Sequence, residues 1–182
     1  MAQFVPFASG VEVNGQTILS FVNAMPQYKE VVLGILEKNK LKDINPEGWY
    51  SQKYWLNAFK EVSEVYGQNT LFAIGKAIPE SAKFPPEIRD LRSALDLINV
   101  AYHMNHRGGE IGYYKLTAFD DKNMKAEMEC KNPYPSEFDR GIITAMARKF
   151  KPRESLLVSV ELDNAKPSRM KGADSCTYKI KW

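Results

Sequence analysis

The feature that most constrains this chain is the place where its hydrophobic period changes. Up to about His106 the apolar residues recur every three or four positions, and after Arg107-Gly108-Gly109 they recur every second position. The first rhythm lays one face of a helix on a core and the second lays one face of a strand there. A helical N-terminal part followed by a strand-rich C-terminal part gives an α+β fold rather than alternating βαβ units. A length of 182 residues suits one domain over 1–182, with a helical part at about 16–106 and a sheet part at about 110–182.

Residues 1–15 carry no clear pattern. Helices are predicted over 17–25 and 27–38, divided by Pro26, and after Asn45-Pro46-Glu47-Gly48 through Trp55, Phe59, Val62 and Tyr66 to Gly67. A short helix over 69–78 should stop at Pro79, with Gly75 on a packed face. Pro85-Pro86 opens the longest helix, about 87–106, whose Ile88, Leu91, Leu95, Ile98 and Tyr102 should cover a sheet. Period-2 segments at 111–119, 124–130, 156–162 and 176–182 predict one four-stranded antiparallel sheet, with a turn at 120–123 and one helix inserted between strands 2 and 3. Ile111, Tyr113, Met128, Cys130, Val158 and Ile180 take the inward phase. The inserted helix is lined by Phe138, Ile142, Met146 and Phe150, and Ser136 with Asp139 matches a capping box at its start. Glu137 and Asp139 read as solvated, and the polar stretch 164–175 as a solvent-facing loop.

Several function classes are set aside. Twenty-five Lys and Arg against 22 Asp and Glu leave too small and too even an excess for a nucleic-acid footprint. The apolar runs fall short of the roughly 20 residues that span a bilayer, and MAQFVPFASG has no basic region ahead of an apolar one, so the expectation is a cytoplasmic protein without a membrane partner. Cys130 and Cys176 should stay reduced there. His106-Arg107-Gly108-Gly109-Glu110-Ile111-Gly112 follows a helix and enters a strand, the reverse of a phosphate loop, so its glycines should instead supply positive φ. No Ser, Cys or Thr stands in the context of a nucleophile, and no enzyme is expected.

His103 and His106, three apart at the end of the long helix, are the sharpest pair. Neutral imidazoles there could hold a metal or a haem iron, or a charged ring could complement the helix dipole. Aromatic residues gather at 49–72 and 102–119 and are either pocket walls or core.

At Asn132-Pro133-Tyr134-Pro135-Ser136-Glu137-Phe138-Asp139-Arg140-Gly141 and at Ser168-Arg169-Met170-Lys171-Gly172-Ala173-Asp174-Ser175-Cys176-Thr177-Tyr178 the chain resembles the vinyl-reductase-like small-molecule-binding domain. The resemblance covers roughly 85–182. Its superfamily also holds haem nitric-oxide/oxygen-binding domains and transport-particle subunits, all with helices on a four-stranded antiparallel sheet. It implies a pocket between the helix carrying Tyr102 and His103 and the sheet face carrying Tyr113, with Trp55 and Phe59 closing it and Tyr66 and His106 nearby. Members that sense aromatic effectors hold a structural zinc; here Ser136, Ala165 and Ser168 stand at the matching places, leaving Cys176, so the zinc should be lost. The haem branch uses a histidine before the sheet, a place His103 could fill, and a Tyr-x-Ser-x-Arg motif that 130–140 is read as lacking.

Three readings follow. The first is binding or sensing of a small hydrophobic or aromatic ligand, without a cofactor, signalling through a protein partner. The second is a haem-based gas sensor using His103. The third is a protein-interaction scaffold, such as a homodimer, which takes over if no pocket of about 300 Å³ lies near Tyr102.

Overall fold

The computed structural model describes residues 3–86 and 88–182, and of Ser81 only the backbone. Met1, Ala2 and Glu87 lie outside the described residues, and with them the first residues of the N-terminal segment and the expected helix start at 87.

The architecture is α+β, with six α-helices and two antiparallel sheets among the described residues. Strand β1 (Glu12–Asn14) leads into α1 (Gly15–Asn23), a 3₁₀ turn at 26–28 and α2 (Lys29–Lys38). Strand β2 (Trp49–Ser51) precedes α3 (Gln52–Tyr66), α4 (Gln68–Ser81) and α5 (Leu91–Met104). After β3 (His106–Arg107) come β4 (Tyr113–Asp120), β5 (Lys125–Lys131), α6 (Ser136–Phe150), β6 (Ser159–Leu162) and β7 (Cys176–Lys181). The larger sheet has the order β4-β5-β7-β6, with α6 inserted between its second and third strands in sequence. Met128 and Ile180 are fully buried and Val158 is half-buried against the core. Helix α5 packs on β4 and α6, and α4 lies against α6 on the far side from the sheet. None of the described helices is long and apolar enough to cross a membrane.

Several local expectations are corrected. A small sheet, β2-β1-β3, arises from residues 12–14, 49–51 and 106–107, segments too short for a period to be read. Helix α4 runs past Pro79 to Ser81, because proline's fixed φ is helical and only its missing N–H is lost near the helix end. Helix α5 begins at Leu91, capped by Asp90, whose carboxylate accepts from the Ser93 N–H at 2.7 Å. Tyr114, not Tyr113, takes the inward phase of β4, paired with the buried Cys130. Gly112 at φ 86° breaks the alternation between the buried Ile111 and the strand, and one residue of slip exchanges the faces. A Cβ at Gly112 would lie 1.8 Å from the Lys131 carbonyl oxygen, so no other residue fits that crossing.

The expected capping box at Ser136 and Asp139 does not form. Pro135 is the N-cap, without a side-chain bond. The Ser136 hydroxyl instead lies 3.1 Å from Cys176 Sγ, and Asp139 is fully buried beneath Arg169. The loop 164–175 is correspondingly not all solvent-facing: Ser168 and Arg169 are 3% and 4% exposed, because the guanidinium plugs the end of the core.

Candidate functional site

Where α4, α5 and α6 meet the start of the sheet lies an apolar cavity of about 50 Å³. Ile78, Ala82 and Phe84 bound it from α4 and the segment after it, Ile98, Ala101 and Tyr102 from α5, and Phe138 and Ile142 from α6. Asn105, His106, Tyr114, Tyr134 and Thr17 complete its wall. The walls are apolar because each helix turns its core stripe here, while the tyrosines place their hydroxyls on fixed acceptors. Tyr102 Oη donates to the Ile111 carbonyl at 2.6 Å, and Tyr114 Oη donates to Asp139 Oδ1 at 2.6 Å.

His106 is the polar centre of this wall. Its Nδ1 lies 2.8 Å from the Tyr102 carbonyl and its Nε2 2.7 Å from Tyr134 Oη. A carbonyl only accepts, so Nδ1 carries the proton, Nε2 accepts, and Tyr134 donates. Burial pushes the imidazole down from 6.5 to about 4. The unfolded chain therefore takes up this proton first, and the stability that the neutral ring contributes is complete above about pH 6.5 and lost as the pH falls toward 4. We expect His106→Gln to flatten the pH dependence of unfolding in this window, a difference of about 3 kcal/mol in denaturant titrations; parallel curves for variant and parent would contradict the neutral buried ring.

Asn105, which caps α5, ties the cavity to its surroundings. Its Nδ2 donates to the Ala101 carbonyl at 2.7 Å and to the Lys83 carbonyl at 3.0 Å, and its Oδ1 accepts from Thr17 Oγ1 at 3.1 Å. Its own carbonyl accepts from the Asn14 N–H at 2.9 Å. The Asn105 side chain thus joins the end of α5 to α1 and to the segment after α4, and its main-chain carbonyl joins it to β1.

Of the residues singled out in the sequence, Tyr102 and His106 line the cavity. His103 does not: it is exposed, with Nδ1 2.9 Å from the Asn99 carbonyl. The two histidines do not share a helix face, because α5 ends at Met104 and His106 stands in β3. Tyr113 is half-buried on the other phase of β4. Trp55 and Phe59 are fully buried and stack on each other at 5.3 Å, and Tyr66 rests on Tyr28 at 4.4 Å. Sequence reasoning missed Asn105, Tyr134 and Phe138. Tyr134 was within reach, since 134–138 reads Tyr-Pro-Ser-Glu-Phe. The tyrosine and serine of the haem motif are present at its spacing, which corrects the reading of 130–140 as lacking them, and Phe138 stands where the motif has arginine.

Tested as a haem pocket, these residues do not fit as arranged. A cavity of about 50 Å³ is far below the roughly 300–1,000 Å³ of cofactor sites. Both nitrogens of His106 are engaged, His103 faces solvent, and Phe138 offers no charge to a propionate. The volume also falls short of the 300 Å³ expected near Tyr102, which removes the pocket on which the aromatic-effector reading rests and favours the protein-interaction scaffold over it; the space left admits only a guest of a few heavy atoms. No group of three or more His, Cys, Asp or Glu that could hold a metal occurs among the described residues.

The fold itself is that of haem nitric-oxide/oxygen-binding (H-NOX) domains. The chain is similar to an oxygen-binding H-NOX domain related to soluble guanylate cyclases, solved as its oxygen complex, with 18% identity and a TM-score of 0.64 over 92% of this chain and 94% of that one. It is similar to a protein solved to examine how porphyrin distortion modulates haem redox potential, with 19% identity and a TM-score of 0.63 over 93% and 94%. A Cs H-NOX domain carrying 4-cyano-L-phenylalanine gives 16% and 0.63 over 92% and 95%. No protein-family model matches the sequence, and no curated protein matches it.

Proposed function

We propose that this chain is a sensing domain on the H-NOX fold that takes a small apolar guest, without haem, into the cavity beside His106 and reports its presence to a protein partner in the cytoplasm. The observation that carries this reading is the cavity: apolar, walled by three helices, and lined by a neutral histidine whose hydrogen bonds are already made. Asn105 supplies a route outward, since displacement of α5 by a guest would strain its bonds to Thr17 and Lys83 at once. Ala101→Leu should fill the space. In xenon titrations followed by methyl NMR, the parent is expected to show saturable shifts at Ile98 and Ile142, and the variant none, with an unchanged circular dichroism spectrum. Absence of shifts in the parent would sink the reading and favour the protein-interaction scaffold.

The likeness of fold to oxygen- and haem-binding proteins, together with Tyr134-x-Ser136, favours haem-based gas sensing as the second reading. It requires a histidine to leave its present partners and the cavity to widen severalfold. Protein produced with haem supplied in excess would then carry a Soret band that His103→Ala or His106→Ala removes. On the first reading it carries none.

A further inference from the structure

The larger sheet has two edges, and only the β4 edge is closed. Strand β4 is interrupted by a bulge between Leu116 and Ala118, α5 packs on it, and the Tyr114 N–H donates to Asn99 Oδ1 of that helix at 3.0 Å. Bulges and covering groups of this kind keep an edge from pairing with another strand. Among the described residues no strand lies beyond β6 at the other edge, and its register on β7 is unbroken. The Asp163 N–H bonds the Thr177 carbonyl at 2.8 Å, and bonded pairs alternate along an antiparallel ladder. Ser159 and Glu161 therefore direct their backbone groups at β7, while those of Val160 and Leu162 point to the open edge. Just ahead of the strand, Leu156 and Leu157 are 91% and 82% exposed. No backbone group from Leu156 to Val158 has a hydrogen bond among the described residues. Arg153 and Glu161 are exposed, and none of the ion pairs among the described residues includes either.

We propose that a second copy of this chain pairs its own β6 edge with this one, antiparallel, joining the two larger sheets into one about a two-fold axis through Leu157. A strand edge is its own complement under such an axis. In this register Leu157 meets the partner's Leu157, Leu156 meets the partner's Val158, and Arg153 comes opposite the partner's Glu161, twice by symmetry. Apolar pairs and opposite charges directly across from one another support a strand pair, and both exposed leucines leave water. Other registers lose this match. Centred one residue later, Leu157 would face a serine and Arg153 would face Asp163, whose carboxylate already holds Lys179 at 3.0 Å. Centred two residues later, Leu157 would face a carboxylate. A few residues from each chain make a small interface, so the dimer should be reversible. The inference does not depend on the cavity.

Sedimentation velocity on the full chain over roughly 1–500 µM is expected to show a monomer–dimer equilibrium. Leu157→Lys changes a side chain that already lies in water, so the circular dichroism spectrum should be unchanged. It should weaken association about a hundredfold, since the two-fold axis counts each substitution twice. Arg153→Glu and Glu161→Arg should each weaken it about tenfold. The double variant Arg153→Glu/Glu161→Arg should recover the parent's affinity, because the same pairs form again with their charges exchanged. A chain that stays monomeric throughout overturns the proposal and leaves the edge to a strand of another protein. A dimer that ignores Leu157→Lys, or whose charge-reversed forms the double variant does not restore, uses another surface or register and overturns it as well.

Discussion

Arg169→Met is expected to lower the melting temperature by about 10 °C, from a loss of roughly 3–5 kcal/mol. Arg169 is 4% exposed and Asp139 fully buried, and the guanidinium reaches the Asp139 carboxylate with Nη2 while Nη1 donates to the Tyr134 carbonyl at 2.7 Å and to both oxygens of Asn132. Its Nε–H points at Cys176 Sγ at 3.5 Å. Burial pushes the Asp139 carboxyl up, against the opposing pull of Arg169, of the Tyr114 hydroxyl and of Asn132. Methionine keeps the bulk and removes the charge, so the carboxylate is left without its counter-ion and two carbonyls without their donor. Asp139→Asn combined with Arg169→Met buries no net charge and should recover part of the loss. An Arg169→Met protein that melts with the parent would show that the pair does not hold the loop 164–175 to the core.

A single methyl at Gly75 should cost about 3 kcal/mol, whereas the same methyl at Gly34 should be neutral or stabilise by about 0.5–1 kcal/mol. Helices α4 and α6 cross backbone to backbone. A Cβ on Gly75 would meet the Phe138 carbonyl oxygen at 2.2 Å, and one on Gly141 would meet the Phe72 carbonyl oxygen at 2.4 Å. Neither carbonyl can swing aside without breaking its helix, so the helices must part, and they carry Ile78, Phe138 and Ile142 of the cavity wall. A Cβ on Gly34 meets nothing within 4 Å. Urea titrations of Gly75→Ala and Gly34→Ala check the contrast, and equal midpoints would contradict the close crossing.

The residues that were legible in the sequence are those whose role is set by their own neighbours in the chain. Met128, Cys130 and Ile180 were placed inward by alternation alone, and Gly75 was put on a packed face by the helical rhythm around it; the structure agrees on each. Alternation failed at Tyr113, where one glycine at positive φ resets the parity. It was silent about β1, β2 and β3, because two or three residues hold no period.

The candidate site was legible only in outline. Tyr102 could be assigned to the covered face of α5 because helix position follows from spacing. His103 and His106, equal in sequence, were separated by where the helix stops, and that end is fixed by Asn105, whose side chain bonds residues from α1 and from the segment after α4.

By itself the sequence determined the order of the helices and of the four strands of the larger sheet, the place of its inserted helix, and most of the faces that turn inward, because these depend on period and on neighbours a few residues away. Only the tertiary structure decided which polar groups are buried. Arg169 in a polar loop, Asp139 in a first helical turn and Gln52 at a helix start all have the local context of solvated residues. Their burial follows from partners 30 or more residues distant or, for Gln52, from the packing of α3 against the core. A side chain's desolvation is a property of the packed whole, which no local pattern encodes.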